Sequence, residues 1–383
     1  MEKEHKKVLH YMFGSLNAGG AESLIVNIYE KLKDKGYQFD FIVNENKEFF
    51  YSAKILAANG QILPLNKNRL PILSKVKCWF TLYKIMKTHK YDAFHCHADF
   101  SFRIVELLLA KYAGIPVRII HAHSSSIGQR KSIVLSIKKA IHIILRRYWR
   151  YVATDFITCS DAASTWMFGN FISQNKILFL KNGINTKRFR FSQNKYTEYR
   201  NNNLLKNSLV ICNIGRFCEV KNQRFLLDLI KYAKTNDFTT KFCLLLLGDG
   251  VLKKELEQYA KKIGVEDLVY FVGNTTDTEK YLIMSDVYVM PSLYEGLPLS
   301  GIEAQCAGLP IIASSTVSKE MDITGKCYFL SLSEELCTWI QKIKEVIITP
   351  DQRVNAYKTV ADNGFDIEQS ANRLCHIYNQ SKG

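Results

Sequence analysis

The stretch YEGLPLSGIEAQCAGLP at residues 294–310 sets two carboxylates, Glu295 and Glu303, eight positions apart among Gly, Pro and small residues. Glu295 follows the apolar run DVYVMPS and falls in a loop, whereas Glu303 falls one to two turns into a helix beginning near Leu299. A strand end, a Gly-rich turn and a helix start together expose backbone N–H groups with a helix dipole behind them, which suits phosphate. Carboxylates repel phosphate but accept hydrogen bonds from hydroxyls. A ligand carrying both groups fits the pattern, and a nucleotide sugar is such a ligand. Taken singly, Glu295 reads rather as a surface loop acid and Glu303 as an exposed helical one.

Other residues join them. GRFCEVKNQ puts Arg216 and Lys221 in the loop after LVICNIG, where a pair of cations neutralises a diphosphate and the charge of a leaving group. GSLNAGGAES, after the first apolar run, offers Gly19 and Gly20 for close backbone approach at a helix start, without the Lys-Ser/Thr of a P-loop or the spacing of a dinucleotide fingerprint. Two His-x-His pairs, His95 with His97 and His121 with His123, end candidate strands, and alternate strand residues share a face. A metal site there lacks a third ligand of convincing spacing, and no Asp-x-Asp holds a metal against a diphosphate. Metal-independent chemistry is therefore expected. A single histidine facing the ligand would orient or polarise a hydroxyl, while His95 and His121 read equally as satisfied core residues.

These loops must be held by elements. KVLHYMF, YQFDFIVN, DAFHCH, VRIIHAH and FITCS alternate with helical patterns such as AESLIVNIYEKLKDKG and FRIVELLLAKYAG, which implies parallel βαβ units. The pattern restarts with LVICNIGR, KFCLLLLGDG, LVYFVGN, DVYVMPS and LPIIASST. Two doubly wound α/β domains are predicted, over 1–187 and 208–361, with a polar linker in 187–207 and a final helical segment from about 362 to 383. Ligands of such sheets bind at the carboxyl ends of strands, so a deep cleft between two such domains is the expected place for chemistry.

Composition narrows the partners. A chain of 383 residues exceeds a comfortable single core, and 47% hydrophobic content marks a folded protein. The ten cysteines form no Cys-x-x-Cys pair, which fits a reduced, cytoplasmic interior, and MEKEHKKVLHYMF is unlike a secretory leader. Apolar runs such as FCLLLLG fall far short of the ~20 residues that span a bilayer. A net charge of +16 favours anionic partners. No nucleic-acid module is recognisable. The segment from Leu107 to Thr154 holds no Asp or Glu, and within it Ile133, Ile137, Ile141, Ile144 and Tyr148 form one helical stripe beside Lys131, Lys138, Lys139, His142, Arg146 and Arg150. Such a helix either docks on an anionic membrane or lipid diphosphate, or packs its apolar stripe on its own domain and leaves a solvated basic face.

The segments NAGGAES, HAHSSS, CSDAA, KNGIN, NIGRFCEVKNQ, LLLLGDG, VYFVGNTTD, YEGLPLSGIEA and GLPIIAS follow an order that resembles glycosyltransferase family 4, in its bacterial capsular and exopolysaccharide branch, over nearly the whole chain. The resemblance implies a GT-B fold, two Rossmann-like domains with the last helix returning to the first, and transfer with retained anomeric configuration without a metal or other cofactor. By the same resemblance Glu295 touches hydroxyls of the transferred sugar and Glu303 holds the ribose. Arg216, Lys221, the N–H groups of Leu299 and Ser300, and the Gly19-Gly20 turn meet the diphosphate. Gly296 and Leu297 complete that loop, Val272 and Gly273 contact the base, His123 lies near the reacting sugar, and Asn182 with Gly183 lines the cleft. The implied donor is a UDP-sugar and the acceptor a saccharide or lipid-linked saccharide at the inner face of the cytoplasmic membrane. The chain departs from the family at CEVKN, where many members read Pro-Glu-Lys, and at the aromatic-rich FHCHADFSF on the acceptor side. A nucleotide-sugar epimerase and a non-catalytic binding partner of a polysaccharide assembly complex are the alternative readings.

Overall fold

The computed structural model describes residues 5–12, 16, 19–65, 71–124, 133–201, 203–236 and 240–380. It separates into two units, Met1–Gly183 with Ile367–Gly383, and Ile184–Asp366. The first holds a seven-stranded sheet: β1 Lys6–Tyr11, β2 Tyr37–Val43, β3 Ile62–Pro64, β4 Ala93–Ala98, β5 Val117–Ala122, β6 Asp155–Thr158 and β7 Ile177–Phe179. Their order is β3-β2-β1-β4-β5-β6-β7, and every pairing among them is parallel. The second unit repeats the plan with β8 Leu209–Ile214, β9 Phe242–Leu247, β10 Val269–Gly273, β11 Val287–Met290, β12 Ile311–Ser314 and β13 Cys327–Leu330, ordered β10-β9-β8-β11-β12-β13. In each sheet the order reverses beside the first strand, between β1 and β4 and between β8 and β11, the switch points at which such folds bind ligands.

Central strands are buried on both faces, which is why runs such as Phe242–Leu247 are apolar without alternation. Amphipathic helices cover them: Gln223–Asn236 buries Leu226, Leu227, Leu229, Ile230 and Ala233.

The boundaries differ from those predicted. The polar stretch at 187–207 is folded into the second unit, not a linker. Buried Arg200 pairs with Asp286 at 2.7 Å and donates to the Leu205 carbonyl at 2.7 Å, so its charge is satisfied by the structure it helps to close. The chain leaves the first unit at Gly183 and returns at Ile367, five residues later than expected, because buried Phe365 still accepts from the Ile184 N–H at 2.8 Å. The last helix, Ile367–Tyr378, then buries Ile367, Ala371, Leu374, Ile377 and Tyr378 in the core beneath β1 and β2.

Candidate active site

In the second unit the expected residues gather where β8 and β11 end. Lys221 Nζ is ion-paired with Glu295 Oε1, and the two side chains are only 22% and 16% exposed. The loop of Glu295 is pinned on both sides. The Leu293 N–H donates to the Val220 carbonyl at 2.8 Å, the Asn222 side chain to the Pro291 carbonyl at 3.1 Å, and the Ser318 N–H to the Glu295 carbonyl at 3.1 Å. Buried Ser292 adds a hydroxyl donor to Glu295 Oε1 at 3.3 Å. The lysine stem lies over Gly215, where a Cβ would come within 3.3 Å of Cδ and Cε. Gly248, at φ +126°, lets the end of β9 approach the Gly215 carbonyl; any side chain there would strike it.

Arg216 is exposed, and it makes no ion pair among the described residues. Leu299 and Ser300 open the helix Leu299–Cys306 after Pro298, and their N–H groups meet no acceptor among the described residues. An exposed cation and two open N–H groups at a helix start are both anion-binding chemistry. Gly296 and Leu297 form the turn between Glu295 and that helix. Val272 and Gly273 end β10, the Gly273 carbonyl accepting from the Gly248 N–H at 2.9 Å.

Glu303 is half-buried on the same helix. Burial pushes its carboxyl up to about 7, opposed by the Arg188 charge and reinforced by Glu279. Arg188 itself pairs with Glu279 at 2.6 Å. Sequence reading missed both. The signal for Arg188 lay in NGINTKRF, a cation shortly after a loop already singled out; Glu279 carried none.

In the first unit Gly19 is the N-cap of the helix Gly20–Leu32, in extended conformation. A Cβ on Gly19 would collide with the Glu22 carboxylate, so the turn faces an acid as well as open N–H groups. Burial raises the Glu22 carboxyl, and Asp99 adds to the rise. His123, half-buried just past β5, accepts or donates at Nε2 to His97 Nδ1 at 2.8 Å. Burial holds His10, His95, His97, His121 and His123 far below the usual imidazole range, His10 and His123 at about 3, so all five are neutral. The expectation that no third metal ligand accompanies the His-x-His pairs is corrected. His10, from β1, joins His95 and His97, and a second group comprises His97, His121 and His123. Asn182 is half-buried and Gly183 closes the first unit.

The helix Ile133–Leu145 bears on the two readings of its stripe. Ile133, Val134, Ile137, Ile141 and Ile144 are exposed, by 40% to 81%, and only His142 of this helix is buried. The apolar stripe therefore does not pack on its own domain. Arg146, counted among the basic residues, donates to the carbonyls of Thr165 and Trp166 at 3.2 and 3.1 Å and closes the end of the helix Asp161–Phe168. Lys131 lies outside the described residues. Among the described residues no helix is long and apolar enough to cross a membrane.

Two parallel α/β sheets, each with its switch point, define a GT-B fold. The HepE structure from Anabaena in complex with UDP superposes with a TM-score of 0.74 at 17% identity, covering 97% of this chain and 98% of that one. The family model for Glycosyltransferase Family 4 matches residues 18–188 and that for Glycosyl transferases group 1 matches 195–359. A putative glycosyltransferase of Bacillus subtilis, EpsF, is 32% identical over 100% of this chain and 98% of its own length. An Escherichia coli UDP-Gal:alpha-D-GlcNAc-diphosphoundecaprenol alpha-1,3-galactosyltransferase is 25% identical over 90% of this chain and 87% of its length. The chain belongs to glycosyltransferase family 4 and is a glycosyltransferase of polysaccharide biosynthesis. The epimerase alternative is not supported.

Proposed function

We propose that this chain transfers a hexosyl group from a UDP-sugar, with retention and without a metal, to a lipid-linked saccharide. The Lys221–Glu295 ion pair, fixed at the edge of the second sheet beside the open N–H groups of Leu299 and Ser300, carries the reading. Arg216, Lys221 and those N–H groups hold the diphosphate and stabilise it as it leaves. Glu295 accepts from hydroxyls of the transferred sugar, Glu303 from the ribose, and Val272 with Gly273 meets the base. In the first unit the Gly19-Gly20 turn offers close backbone approach to an anionic ligand, and neutral His123 a hydrogen bond to a sugar hydroxyl. The anomeric bond breaks through an oxocarbenium-like state. The acceptor hydroxyl then attacks the same face, and a phosphate oxygen of the departing UDP takes its proton. Neither glutamate is needed as nucleophile, so their spacing is a binding geometry. The UDP complex of HepE and the galactosyltransferase relative support the donor class.

The test is a donor screen on the purified chain, with UDP- and GDP-sugars, chelator present, and a bacterial lipid extract added or withheld. Release of UDP from one donor, increased by lipid and yielding an α- or β-product that matches the donor anomer by NMR, is expected. Release from GDP-sugars alone, or only after a divalent cation is restored, would overturn the donor or the metal-free assignment respectively.

The acceptor side rests on the exposed stripe of the helix Ile133–Leu145. Each isoleucine transferred from water to lipid is worth roughly 1.5–3 kcal/mol, and each nearby Lys on an anionic surface about 1 kcal/mol. Combining Ile137→Asp and Ile141→Asp with Lys138→Glu and Lys139→Glu is therefore expected to weaken binding to phosphatidylglycerol vesicles by at least about 100-fold. UDP affinity should stay unchanged. Vesicle sedimentation equal to that of the parent chain would sink the membrane assignment.

A further inference from the structure

Three adjacent strands of the first sheet put five histidines on one face. His10 on β1 is in register with His95 on β4, and His97 on β4 with His121 on β5, while His123 follows two residues beyond His121. The rings contact one another in two chains. Tyr378 Oη meets His95 Nδ1 at 2.7 Å, and His95 Nε2 meets His121 Nδ1 at 3.2 Å. His10 Nδ1 meets His97 Nε2 at 3.3 Å, and His97 Nδ1 meets His123 Nε2 at 2.8 Å. His121 Nε2, on a fully buried side chain, ends its chain with no hydrogen-bond partner among the described residues. A buried nitrogen left in that state is costly, and its presence at the end of a chain of imidazoles points to a ligand.

We infer that His97, His121 and His123 form a binding site for a divalent transition metal of the zinc class. One ring nitrogen of each lies within 4.8 Å of those of the other two. Tetrahedral zinc with bonds of about 2.0–2.1 Å wants nitrogens roughly 3.4 Å apart, so the three rings need shift only by fractions of an ångström to a little over one. The outer contacts fit as well. A ligating histidine donates its other N–H to a fixed partner, which sets the tautomer. His121 does so when Nδ1–H donates to His95 Nε2, which leaves Nε2 bare; His95 Nδ1–H then donates to Tyr378 Oη. His97 does so when Nε2–H donates to His10 Nδ1, which leaves Nδ1 bare. A single proton arrangement thus frees a lone pair on both ligands and gives each an outer partner, with the His10 proton then on Nε2, a buried nitrogen without a partner among the described residues. The alternative trio of His10, His95 and His97 is fully buried, whereas His123 sits half-buried past the end of β5 and gives the ion a path from solvent.

The test reads metal, not turnover, so it stands whether or not the proposed donor chemistry holds. The full chain, stripped with chelator, is titrated with Co²⁺ and then Zn²⁺. One equivalent of Co²⁺ should give visible d–d absorption that Zn²⁺ displaces, and Zn²⁺ should raise Tm. His121→Asn and His97→Asn should each weaken binding on the order of 100-fold or more, and His10→Asn, which removes only the outer partner, by about 10- to 100-fold. No Co²⁺ absorption and no Zn²⁺-dependent Tm in the parent chain would overturn the site, and that arm decides the matter even where a variant does not fold. Binding that survives both ligand substitutions, or that is lost instead on replacing the exposed His5 or His376, would overturn it too.

Discussion

Lys221→Ala is expected to lower the rate of nucleoside-diphosphate release by roughly 10²- to 10³-fold, the usual consequence of removing one preorganised group from a developing anion. The lysine is held at its task. Its stem rests on Gly215, its ammonium on Glu295, and the Glu295 loop is tied to Val220, Asn222 and Ser318 by backbone and side-chain hydrogen bonds. A cation that costs no reorganisation when the leaving group gains charge acts mainly on the transition state, so kcat and kcat/KM should fall together while donor KM moves little. Two comparisons separate this from a folding defect. The variant should retain the parent Tm within a few degrees, because the pair lies at a partly solvated loop. Gly215→Ala, which crowds the stem at 3.3 Å without removing charge, should lose less than Lys221→Ala. Turnover of Lys221→Ala within threefold of the parent would remove the lysine from the mechanism.

The residues behind that expectation were legible in sequence because they follow strands whose signals are strong. Phe242–Leu247 and Val287–Met290 are fully buried and Leu209–Ile214 is buried except at its ends, so their runs are apolar apart from Asn213 and the loops after them could be placed. The edge strands β3 and β13, only three and four residues long, were not read. They are largely half-buried, their apolar runs are too short to stand out, and they are defined by a neighbour rather than by their own pattern. The folded state of 187–207 was hidden for a similar reason. What fixes it is Arg200 meeting Asp286, a partner 86 positions away, and a polar stretch with distant partners looks like a linker. His10 was overlooked inside an apolar strand because its relation to His95 and His97 exists only once β1 and β4 pair. The apolar stripe of Ile133–Leu145 was read correctly as a stripe, yet periodicity carries no information on whether such a face meets protein or solvent.

Glu303 supplies the second large effect, and its sign follows from its surroundings. Burial pushes the carboxyl up to about 7, so in the free protein it is neutral below that pH and ionised above. Ribose hydroxyls are donors, and only the carboxylate offers acceptors on both oxygens. The donor sugar therefore binds the ionised form, and each pH unit well below 7 should raise donor KM close to tenfold, about fiftyfold between pH 7 and pH 5. Binding at pH 6 should release a proton from Glu303, visible as a calorimetric heat that depends on the buffer's ionisation enthalpy. Stability has the opposite slope. A carboxyl whose folded value exceeds its unfolded one favours the fold most at pH below 4.5, and the contribution is lost as pH rises toward 7. Glu303→Gln removes the titration. It should hold donor KM high and flat across the range while making the ligand-free chain more stable at pH 8 than its parent. A donor KM in the parent chain that is constant from pH 5 to 8, with no proton released on binding, would separate Glu303 from the ribose and assign its raised carboxyl to the Arg188 and Glu279 cluster alone.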